Sequence, residues 1–115
     1  ALRAGRVAEA ATVLERLVSQ RPDSYEANLL LGMARRRQGR NDEALALYEK
    51  ARAARPEALE AAYNEAMLFV DTGRRAEARP LLEALARRFP EREEVRRALR
   101  ELDGVRPDST TAPGR

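Results

Sequence analysis

Gly-Arg-x-x-Glu-Ala is written three times in this chain, at Gly5, Gly39 and Gly73, and the three copies stand 34 residues apart. The same interval links Pro22, Pro56 and Pro90. Self-similarity at a fixed period of this size constrains the fold more than any local propensity does. It marks a stacked repeat, in which each unit buries its apolar face only against its neighbours.

Apolar positions fall at helical spacing on both sides of each Gly, as in Leu30, Leu31 and Ala34, then Ala44, Leu47, Tyr48 and Ala51. Each interval is thus a helix pair. Gly39 and Gly73 suit the left-handed residue that closes a first helix, and Pro22, Pro56 and Pro90 break the chain after the second. The motif then reads as a helix stop, a helix start and a small residue where two helices touch. The spacing predicts helices at 7–20, 24–38, 41–54, 58–72, 75–88 and 91–102, with 1–4 as the last turn of a helix that is missing. It gives a repeat domain over 1–103 and a flexible C-terminal tail over 104–115.

The layout resembles the tetratricopeptide repeat family, a helix–turn–helix unit with the pattern W-x2-L-G-x2-Y, A-x3-F and P. The residues that carry the resemblance are Leu31-Gly32, Ala44 with Tyr48, and Pro56; then Ala66, Phe69, Ala78 with Leu82, and Pro90; and, in an incomplete first unit, Ala10 with Leu14, and Pro22. Asn28 and Ala62 stand where the pattern has its first aromatic, Arg35 where it has Tyr, and Glu65 where it has Leu. A buried Glu65 requires a cation, and Arg35 and Arg79 are the candidates. Arg100 takes the Gly slot of the last helix, which makes that helix a cap with Val95, Leu99 and Leu102 inward.

The resemblance implies an all-α solenoid, a right-handed superhelix of about two full repeats, a partial N-terminal repeat and a capping helix. It also implies a concave groove, lined by the first helices, that holds a peptide or helix of a protein partner. Leu29, Met33 and Arg36 form one stripe there, Tyr63, Met67 and Val70 the matching one, with Arg37, Asn64, Asp71 and Arg97 beside them. Met33 and Met67 are adaptable side chains of the kind that binding surfaces use. Members that capture a C-terminal carboxylate use a basic and asparagine clamp; here Leu30 stands opposite Asn64 in the repeat, and no such clamp is expected.

Composition narrows the chemistry. There is no Cys and no His, which removes thiolate nucleophiles, imidazole bases and the usual zinc ligand sets, so no catalysis, metal or cofactor is expected. All but Lys50 of the 22 basic residues are Arg, against 19 acids. A net charge of +3 and few aromatics make nucleic acid an unfavoured partner. No apolar run approaches the length that spans a bilayer, and a soluble protein is the expectation, its compartment open between the cytoplasm and wherever a signal or anchor upstream of Ala1 would send it. The alternative to partner binding is self-assembly: the helix at 7–20 carries Val7, Ala10, Ala11, Val13, Leu14, Leu17 and Val18, more apolar surface than one neighbour covers.

Overall fold

The computed structural model describes residues 4–104, and among them it contains six α-helices and no strand. They are α1 (Ala4–Gln20), α2 (Tyr25–Arg37), α3 (Asn41–Ala54), α4 (Leu59–Asp71), α5 (Arg75–Arg88) and α6 (Glu93–Gly104). Every helix expected from the repeat is present, with ends displaced by no more than three residues. The chain divides into two compact units within α4, residues 1–65 and 66–115.

Both kinds of turn recur with the period. After α2 the Arg40 N–H donates to Arg35 O (2.8 Å) and the Gly39 N–H to Arg36 O (2.9 Å), with Gly39 at φ 78°. After α4 the Arg74 N–H donates to Phe69 O (2.7 Å) and the Gly73 N–H to Val70 O (3.1 Å), with Gly73 at φ 80°. This paired closure satisfies the last carbonyls of a helix and requires a residue without a Cβ penalty at positive φ. The outer turns put Pro22, Pro56 and Pro90 second in a four-residue turn, closed by Ser24 N–H to Arg21 O, Ala58 N–H to Arg55 O and Arg92 N–H to Phe89 O at 3.0–3.1 Å. Proline fixes the φ that this position needs and has no N–H to leave unpaired.

Gly5 departs from the expected pattern. It lies inside α1, which begins at Ala4. The left-handed conformation at Gly39 and Gly73 is held by bonds back to a helix that is ending, and no described helix precedes Gly5. Residues 1–3 and the expected tail from 105 onward lie outside the described residues, and Gly104 is the last residue of α6.

In the first unit α1 packs on α2 and α2 on α3. Val7, Ala11, Leu31 and Ala34 form a buried cluster, with Leu14, Val18 and Leu47 against it. Gly32 lies so close to α3 that a Cβ there would stand 2.7 Å from Tyr48 Cε1 and 3.4 Å from Ala44 O. Asn28, in the slot of an aromatic, is fully buried and donates from Nδ2 to Pro22 O (2.9 Å) and Ser24 O (2.8 Å), tying α2 to the turn before it. Ser24 caps the same helix by accepting from the Ala27 N–H at 3.1 Å. In the second unit Ala66, Ala78, Leu82 and Val95 are fully buried, and α5 packs on α6. Arg75 donates to Leu102 O (2.5 Å) and Arg79 to Asp103 (2.5 Å), so two cations of α5 hold the last turn of α6.

Candidate functional site

Interaction surfaces on helical repeats are built from whatever the first helix of each pair leaves uncovered. On α2, Met33 and Arg36 are half-buried and Arg37 is exposed, whereas Leu29, expected in the same stripe, is buried. Leu30 takes the outward place and is 47% exposed. Leu29, Leu30 and Leu31 run consecutively, so no polar residue in the sequence marks which of them faces water. On α4, Tyr63, Asn64, Met67 and Val70 are half-buried and Asp71 is exposed. Arg97 is exposed on α6. Leu29 is therefore not available to a partner, while the other expected residues keep some accessible surface.

The structure adds a groove that sequence reasoning did not isolate. Val7, Ala10 and Leu14 of α1 and Leu30, Met33, Ala34 and Arg37 of α2 line an almost wholly apolar groove of about 190 Å³. Its signal in the sequence was the excess of apolar residues on the helix at 7–20. Of those, Val7 and Ala11 are buried, Ala10, Leu14 and Val18 are half-buried, and Val13 and Leu17 are exposed.

Most arginines near the inner turns are occupied within the chain. Arg35 is buried and joins three helices, bonding Glu15 of α1, Glu43 of α3 (3.1 Å) and Gln38 (3.0 Å). Arg40 pairs with Glu43 (2.9 Å) and Arg74 with Glu77 (3.0 Å), so the Arg and the Glu of the repeated motif are partners in its second and third copies. The chain's own carboxylates thus neutralise Arg35, Arg40 and Arg74.

Glu65 is 2% exposed, as its slot demands, but its cation is Arg52 of α3 at 2.8 Å. Arg35 and Arg79, expected in that role, are engaged by Glu15 and Glu43 and by Asp103. Burial pushes the Glu65 carboxyl above the ordinary carboxylate range, against the pull of Arg52, with Glu49 adding to the rise. Burial also raises the phenols of Tyr25 and Tyr48, which belong to the core. Among the described residues no group of three or more carboxylates is placed to hold a metal ion, and no helix is long and apolar enough to cross a membrane.

Helix pairs closed by Gly39 and Gly73, parted by Pro turns, with Gly32 seated on Tyr48, meet two family models of the tetratricopeptide repeat, one over residues 1–58 and the other over 35–102. The chain belongs to the tetratricopeptide repeat family. Tetratricopeptide repeats are all-α helical-repeat solenoids that generally serve as protein–protein interaction modules and typically as non-catalytic scaffolds. No curated protein matches the chain.

Proposed function

We propose that this tetratricopeptide repeat chain binds a peptide or helical segment of a protein partner along its first helices and performs no chemistry of its own. One observation carries the reading. Met33, Tyr63, Met67 and Val70 are large apolar side chains on first helices, and none of them is fully covered. A half-covered methionine offers polarizable, adaptable contact area to a partner. Arg36 and Arg37 on α2, Asn64 and Asp71 on α4 and Arg97 on α6 supply the polar contacts that fix direction and register.

The double variant Met33→Glu with Met67→Glu tests this. A charge in a partly solvated strip costs little in folding and is desolvated on binding. Helical content and cooperative melting are expected to stay close to the parent, while partner capture by the immobilised chain falls. Unfolding of the double variant would place these residues in the core and remove the reading.

A further inference from the structure

The second helices α3 and α5 carry the same slots, but Pro80 of α5 stands where α3 has Ala46. Pro80 is the sixth residue of α5, past the first turn, where a helical residue donates its N–H to the carbonyl four places back. A proline has no N–H and its ring presses on that carbonyl, so no helical bond reaches Ala76 O. The first turn of α5 is thereby joined to the rest of its helix one bond short. It is also bathed in water, because residues 71–77 are all exposed.

That same turn holds α6. Arg75 donates to Leu102 O (2.5 Å) and Arg79 pairs with Asp103 (2.5 Å), and both cations stand before the proline. The other hold on α6 is its own apolar face, Val95, Ala98 and Leu102. A helix of 12 residues does not persist in water without such support. The Arg79–Asp103 pair is open to solvent on both sides, so it fastens α6 only weakly.

From this geometry we infer that α6 and the first turn of α5 form a latch, which opens as one unit about Pro80 while the remainder of α5 stays folded. Unwinding the turn withdraws both cations from the last turn of α6, and release of α6 removes the acceptors that fix the two arginines. Both parts lie in the second compact unit. Opening uncovers Val95, Ala98 and Leu102, an apolar strip that the closed chain buries.

Native-state hydrogen exchange of the full chain tests the latch. It is read at Ala78 and Arg79 in the first turn of α5, at Ala98 and Leu102 in α6, and at Leu85 and Ala86 beyond the hinge. The first two groups are expected to share one protection and one dependence on dilute urea, with protection at least about tenfold below that of Leu85 and Ala86. Pro80→Ala supplies the missing donor and should raise the protection of both groups by the same factor, about tenfold or more. With Arg75→Met and Arg79→Met also in place the turn no longer holds α6, and Pro80→Ala should then protect the turn alone. Should those two substitutions unfold α6 outright, Arg79→Met alone is the background, and the gain at Ala98 should fall below the gain at Ala78. Equal protection of Ala98 and Leu85 in the parent chain would mean that α6 opens only with the whole unit, and would overturn the proposal. So would a Pro80→Ala chain in which Ala78 gains protection and α6 does not, or a gain at α6 that survives loss of both arginines.

Discussion

Glu65 shows what a single residue reveals of its surroundings. Its slot in the repeat placed it in the interior, and it is there, but the identity of its cation depends on how α3 lies against α4, which no spacing encodes. Arg52, 39% exposed at its side chain, reaches in from α3 with its head group. Because the folded carboxyl titrates above its ordinary range, its contribution to stability is present at low pH and is lost as pH rises through the folded value. Ionising this carboxyl is therefore a burden that Arg52 only partly offsets. Glu65→Gln, which can still accept from the Arg52 Nε, is expected to be at least as stable as the parent at pH 7. Its advantage should vanish as pH falls below the ordinary carboxylate range. Arg52→Met leaves a buried carboxylate without its cation and should lose about 1–3 kcal/mol at pH 7, less than a fully buried pair would because Arg52 is partly in water. Urea melts of both variants from pH 4 to pH 7.5 check the sign. A parent chain that gains stability relative to Glu65→Gln as pH rises would contradict it.

The helices and their ends were legible because the residues that set them have few alternatives. Positive φ selects Gly39 and Gly73, and a fixed φ without a donor selects Pro22, Pro56 and Pro90. Facing was less legible: Leu29 and Leu30 exchange the places expected of them, because three consecutive leucines give no hydropathy contrast. The tightest helix contact was visible only as a Leu-Gly pair. In the structure it is Gly32 against Tyr48, and it reverses an ordinary rule. In a solvated helix interior Gly→Ala stabilises by about 1 kcal/mol. Here the added methyl would stand 2.7 Å from a fully buried ring, which would have to shift. Gly32→Ala should therefore destabilise the chain by about 1–3 kcal/mol. Gly32→Ala combined with Tyr48→Leu, the pairing that the next interval uses at Ala66 and Leu82, should recover most of the loss. A thermal melt of the three proteins reads the result, and a Gly32→Ala chain as stable as the parent would mean that α2 and α3 lie further apart.

At the scale of the molecule, repeats that touch only their neighbours open from wherever a face is left uncovered. The second helices α1 and α3 carry the same slots, so differences in their opening report their covering and not their sequence pattern. Ala44, Tyr48 and Ala51 are fully buried, with Gly32 of α2 directly on Ala44 and Tyr48, whereas Ala10 and Leu14 border an open groove and Leu17 is exposed. α6 ends differently: its buried face is Val95, Ala98 and Leu102, while Glu93 on its other side holds Arg96 and Arg100, which keep its carboxyl below the usual range. Native-state hydrogen exchange should accordingly find the amides of Ala10, Leu14 and Leu17 exchanging at least about tenfold faster than those of Ala44, Tyr48 and Ala51. Equal protection of α1 and α3 in the free chain would mean that the open groove leaves α1 no easier to unfold, and that cover over α1 contributes nothing to its stability.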